Sequence, residues 1–165
     1  MRKFHILAFV VVLHASCIGP YTTFTDTYYI YNATDNVISL TTEHPVVWDT
    51  CAADNPQKAW FDSTFVSIKP GKTIRLHPII RDYRHKNLSV DDRLNVTWLI
   101  GTSTRLTANA GTVVWQVKYM YMFDSDSVWS IYNKRDWQTI KDKDLPYTYY
   151  HTFEITSDKI ERSKL

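Results

Sequence analysis

Glycine is scarce in this chain, with four in 165 residues, and proline little commoner, with six. With so few of either, each Gly or Pro is expected to mark one turn or boundary, and an aromatic content of 15% is too rich for a disordered chain. Cysteine is limited to Cys17 and Cys51, which excludes a disulfide-stapled miniprotein and a Cys-based zinc cluster. An excess of one charge is also missing. Nineteen Lys and Arg face seventeen Asp and Glu, and the balance becomes even if Arg2 and Lys3 are lost with a leader. Phosphate backbones are held by surplus positive charge, so nucleic acid is not an expected partner.

Catalytic signatures are lacking too. There is no Gly-x-Ser-x-Gly elbow, phosphate loop, HExxH or Cys-His cluster. Asp124 and Asp126 begin like a calcium loop, but Trp129 and Arg135 stand where such a loop needs its Gly and its final acid. His44 and His77 each precede a proline. His151, between Tyr149 and Phe153 on an apolar strand face, reads as a core histidine with satisfied nitrogens. No catalytic residue, metal or cofactor is therefore expected, although a hydrolase that scatters its residues would escape motif reading.

What the chain does have is aromatic residues, 15% of the total with six Trp and eleven Tyr, in stretches that alternate with period two. Residues 111–123 form the longest such run. Val113, Trp115, Val117, Tyr119 and Tyr121 share one parity and Thr112, Val114, Gln116, Lys118, Met120 and Met122 the other, which places the two sets on opposite faces of a strand. A central strand is expected, its Met120 and Met122 end covered by another element or by a second subunit. Further strands are expected at 27–31, 37–42, 45–48, 65–76, 94–100, 128–132, 137–140 and 147–155, separated by turn chemistry. Ile38, Leu40, Ile74, Leu76, Trp98 and Ile100 should face inward. Pro70-Gly71 suits a type II turn, whose twist fits a corner between sheets better than a tight hairpin. About eight to ten short strands in one domain describe an all-β, antiparallel, jelly-roll-like sandwich, with a closed barrel as the alternative.

Residues 1–17 have a basic start, an apolar run and small residues, the layout of a cleaved signal peptide. The domain then spans 18–156, and 157–165 reads as a polar tail. The cleavage site decides whether Cys17 survives to pair with Cys51. Sequons at Asn32, Asn87 and Asn95 fall in turns, loops or outward strand positions and fit a glycoprotein. Ser163-Lys164-Leu165 matches a peroxisomal address. A secreted chain never shows that address to the cytosolic receptor, so the match is read as coincidence.

These features point to a secreted binding module that recognises a glycan or protein at a cell or virion surface through exposed aromatics, with Tyr28, Trp129 and Tyr150 as the candidate contacts. A basic loop containing Arg81, Arg84 and Lys86 suits acidic glycans or lipid headgroups, which makes a membrane-surface module the second reading. A motif-free secreted hydrolase is the third.

Overall fold

The computed structural model describes residues 22–49, 60–76, 79–83, 96–117 and 129–164. Among them are nine strands: β1 (Thr22–Asn32), β2 (Ile38–Asp49), β3 (Trp60–Ile68), β4 (Thr73–Leu76), β5 (Ile79–Tyr83), β6 (Ser103–Ala108), β7 (Gly111–Gln116), β8 (Trp137–Lys141) and β9 (Thr148–Ile155). Two short helices, α1 (Thr97–Ile100) and α2 (Ser157–Arg162), complete the described fold with a single 3₁₀ turn at Lys134–Asp136.

The strands form two four-stranded layers, as in a β-sandwich. The first has the order β3-β2-β6-β7 and is antiparallel throughout. The second places β1 between β9 and an edge that β4 and β5 supply in succession, with β8 outside β9. The long β2 passes from one layer to the other. At its end Trp48 and Asp49 pair with Leu76 and Arg75, so hydrogen bonding runs continuously through the nine strands.

Period-two alternation gives each layer one apolar face, and the two faces meet. Tyr28 and Ile30 from β1, Ile38 and Leu40 from β2, Val66 and Ile68 from β3, Ile74 and Leu76 from β4, Leu106 from β6, Val113 and Trp115 from β7, and Phe153 and Ile155 from β9 make one core. Removing each such side chain from water contributes about 1.5–3 kcal/mol. The inward positions assigned to Ile38, Leu40, Ile74, Leu76 and Ile100 are all buried, and so are Val113 and Trp115 on one parity of β7.

Pro70-Gly71 forms the expected corner. Gly71 takes φ +66°, the third-residue requirement of a type II turn, and Lys72 N donates to the Lys69 carbonyl at 3.1 Å. The strand before the turn belongs to one layer, and the strand after it pairs with β1 in the other.

Several expectations are corrected. β1 and β9 run parallel along eight paired residues, whereas neighbours in a jelly roll are antiparallel. Residues 97–100 form a helical turn instead of the end of a strand, and Trp98 is 53% exposed rather than inward. β7, the strand of the 111–123 run, stands at the end of the described sheet order rather than at its centre. Residues 129–132 make a turn with Ser130, Ile131 and Tyr132 buried. Residues 45–48 are not a separate strand but the continuation of β2 beyond a bulge between Thr41 and Val46. The polar tail is helical: the Thr156 hydroxyl accepts from Lys159 N, capping α2, and Ile160 is buried in the core. The proposed leader, Cys17, Cys51, Met120 and Met122 lie outside the described residues.

Candidate binding surfaces

The outer face of the β4-β1-β9-β8 layer carries tyrosines. Inward residues Tyr28 and Ile30 on β1 leave Tyr29 and Tyr31 facing outward, and inward His151 and Phe153 on β9 leave Tyr150, Thr152 and Glu154 outward. The register assembles these into rows. Ile140 lies opposite Tyr150, Tyr29 sits between Thr152 and Arg75, and Tyr31 between Glu154 and Thr73. The Tyr29 and Tyr150 rings are 6.3 Å apart and tilted by 51°. Tyr150 is fixed in place by its hydroxyl, which donates to Asp142 Oδ2 at 2.6 Å. That bond stabilises the carboxylate and the protonated phenol together, so the Asp142 pKa falls and the Tyr150 pKa rises. The N–H groups of Leu145 and Asp144 add to the Asp142 shift. Ile140 beside them is 64% exposed.

The outer face of the other layer is built from hydroxyls. Ser67, Ser39, Thr107 and Thr112 form one row across β3, β2, β6 and β7, and Phe65, Thr41, Arg105 and Val114 form the next. Beyond them Ser103 faces Gln116, whose amide donates to it at 3.4 Å. The β2 bulge raises Glu43, His44 and Pro45 out of the sheet, all exposed, which is how proline is accommodated in a paired strand. Glu43 Oε2 then accepts from Thr102 N at 2.6 Å and from the Thr102 hydroxyl at 2.8 Å. Those two donors hold the Glu43 carboxyl below its usual range. Gly101 makes the approach possible, since a Cβ there would lie 2.6 Å from Glu43 Cβ, and its φ is +82°. The result is a shallow groove of about 350 Å³ lined by Thr41, Glu43, Ser103, Arg105, Val114 and Gln116.

Inside the second layer a polar relay crosses three strands. His151 Nε2 lies 3.1 Å from Asp26 Oδ1, and Nδ1 lies 2.9 Å from the Thr139 hydroxyl. A carboxylate only accepts, so in the neutral ring Nε2 carries the proton and Nδ1 accepts from Thr139. Asp26 and His151 are fully buried, and Tyr28 stacks on the imidazole at 4.9 Å. Both ring nitrogens are committed and only Thr139 reaches the surface. The arrangement braces β1, β9 and β8 as the core-histidine reading expects, and it leaves no imidazole nitrogen turned toward a substrate.

The sequence-predicted contacts are scattered by the fold. Tyr28 is fully buried, because it shares the inward parity of Ile30; its neighbours Tyr29 and Tyr31 take the surface in its place. Trp129 is half-buried, at φ 73°. It holds α2, its carbonyl accepting from the Ser163 hydroxyl and its ring lying 5.1 Å from the Arg162 guanidinium. Tyr150 lies on the outer face, half-buried like Tyr29 and Tyr31. Arg81 lies in β5 opposite Phe24, while Arg84, Lys86, Asn87 and Asn95 fall outside the described residues.

Asn32 is fully buried, and its amide is used on both sides. Nδ2 donates to the carbonyls of Asn36 and Ile68 at 2.8 and 2.9 Å, and Oδ1 accepts from Thr34 N and the Thr34 hydroxyl at 2.9 and 2.7 Å. The sequon is an Asx-turn that closes the β1–β2 connection. Among the described residues no group of three or more His, Cys, Asp or Glu is placed to hold a metal ion, and no helix is long and apolar enough to cross a membrane. No protein-family model, no curated protein and no solved structure matches this chain.

Proposed function

We propose that this chain is a secreted recognition module: a β-sandwich that follows a cleaved signal peptide, bears N-linked glycan at Asn87 or Asn95, and binds a glycan or protein displayed at a cell or virion surface. The observation that carries this reading is the convergence of Tyr29, Tyr31 and Tyr150 with exposed Ile140 on one outward sheet face. Tyrosine presents a large rigid ring with a polar tip, which is why it is enriched where proteins meet partners or sugars. A β-sheet also holds such rings in fixed positions, so little side-chain freedom is lost on binding. The engagement of Ser163 with Trp129, and of Lys164 with the Ala110 carbonyl, supports reading these residues as part of the fold rather than as an organelle address.

Surface binding of the purified protein to sialidase-treated cells and to arrayed glycans that carry no carboxylated sugar, read for wild type and for a Tyr29→Ser, Tyr31→Ser, Tyr150→Ser variant, tests the proposal. Loss of more than tenfold in affinity is expected, about 1.4 kcal/mol or more in total. A variant that keeps its fold and binds as tightly as wild type removes the tyrosine face from the mechanism. Mass spectrometry of the protein from its own host tests the secretory half. A retained leader with bare Asn87 and Asn95 would overturn it.

A further inference from the structure

We infer that the groove on the opposite layer is a second binding site, for a single carboxylated, N-acylated sugar of the sialic-acid type. The groove is a consequence of three local features acting together. The β2 bulge lifts Glu43 to one end of it, Gly101 lets that side chain pack against the α1–β6 turn, and the straight pairing of β6 with β7 lays Ser103, Arg105, Val114 and Gln116 along the floor. Its volume of about 350 Å³ is at the small end of ligand sites and fits one sugar unit rather than an extended chain.

The lining determines the chemistry of the occupant. Arg105 is exposed, and no described carboxylate lies within ion-pair distance of it. Its planar fork of donors matches a carboxylate, and a charge-assisted bidentate contact is the strongest one this surface can offer. Thr41, Ser103 and Gln116 supply donors and acceptors suited to sugar hydroxyls. Glu43, its Oε2 bonded to Thr102 and its carboxyl held below the usual range by those bonds, is exposed at the groove end, where a carboxylate can accept an amide N–H or a hydroxyl. Val114, 48% exposed, offers the one apolar patch, suited to an acyl methyl.

Competing ligands fit less well. A phosphate or sulfate would meet one cation and one fixed anion, which is poor compensation for a second negative charge. A nucleotide base would find no aromatic residue in the groove lining to stack on. A neutral hexose would leave the Arg105 fork unused. One carboxylate, one amide, several hydroxyls and one methyl use every group present.

The site is independent of the tyrosine face, and the experiment separates the two. Saturation-transfer NMR and calorimetry with 3′-sialyllactose and with lactose, on the intact mature protein, should show binding of the first and at least tenfold weaker binding of the second. Arg105→Ala should abolish the preference without moving the melting temperature, since Arg105 is a surface residue on a paired strand; Arg105→Lys should restore part of it. The triple tyrosine variant should bind sialyllactose as wild type does. Equal binding of lactose, binding unaffected by Arg105→Ala, or no saturation transfer to the sialic acid protons at millimolar sugar would each overturn the assignment. Loss of sialyllactose in the tyrosine variant alone would move the sugar to the other face, which also overturns it.

Discussion

Replacing Asn32 with alanine separates two readings of the same residue, as a glycan acceptor and as a structural turn. The side chain is fully buried and makes four hydrogen bonds. In the alanine variant the Asn36 carbonyl keeps the Thr34 hydroxyl, 3.0 Å away, as a donor, but the Ile68 carbonyl and Thr34 N–H lose the side-chain partners described here. Two buried groups left unpaired cost about 1–3 kcal/mol each, and water entering the vacated space offsets part of that, so a loss of about 3–4 kcal/mol is expected. Domains of this size have about 5–15 kcal/mol in total. Urea unfolding with a slope of about 2 kcal/mol/M should therefore show the midpoint falling by about 1.5–2 M. Thr34→Ser should stay near wild type, because it keeps the hydroxyl that both Asn32 Oδ1 and the Asn36 carbonyl use. A glycan consumes one Nδ2 hydrogen, and both of those hydrogens are donated to carbonyls, so the peptide containing Asn32 should be unmodified in folded protein. An unchanged midpoint for Asn32→Ala, or glycan mass on that peptide from native material, would refute the argument.

Other expectations follow from the same geometry. His151→Leu takes the imidazole hydrogen bonds from buried Asp26 and from Thr139 and should destabilise by about 1–3 kcal/mol in chemical unfolding; an unchanged unfolding midpoint would show that the relay is not a brace. Asp142 has a folded pKa below its unfolded one, so its contribution to stability is complete above the ordinary carboxyl range and disappears as pH falls through the depressed value. Tyr150→Phe removes the leading cause of that shift, and carboxyl NMR titration should then report Asp142 closer to its ordinary pKa. Gly101→Ala places a Cβ against Glu43 in a left-handed backbone position; strain of about 1–3 kcal/mol should lower the melting temperature by several degrees, and an unaltered melt would show that the bulge yields.

The strand content of the chain was legible because its signal is local. Alternation at Ile38-Ser39-Leu40 and Val113-Val114-Trp115, and the single Pro-Gly pair at the corner, carry their meaning within a few residues. What failed was decided by distant parts of the chain. Nothing near Tyr28 says that His151 stacks on it, so parity could not choose between Tyr28 and Tyr29 for the surface. Trp98 looks inward if 94–100 is a strand and outward once the chain turns helical at Thr97, which β-branched composition does not announce. A sequon says only that an enzyme would accept the tripeptide; the bonds from Asn32 to Ile68 come from a turn and a strand that meet only in the folded chain. The Arg105 groove had one sequence trace, Glu-His-Pro within a strand-like run, which marks an interrupted ladder. Its partners on β6 and β7 were invisible until register was known.

The parallel pairing of β1 with β9 sets a timetable for synthesis. β1 ends at Asn32 and its neighbour begins at Thr148, so a growing chain can dress one side of β1 with β4 and β5 early but must carry the other side bare until the domain is nearly complete. Contacts so distant in sequence form slowly, and an unpaired strand edge invites wrong partners while it waits. Release of the chain before Ile155 would therefore yield not a slightly shortened protein but one with its second layer split beside β1. Protection of nascent chains of increasing length against protease should accordingly rise in one late step rather than strand by strand.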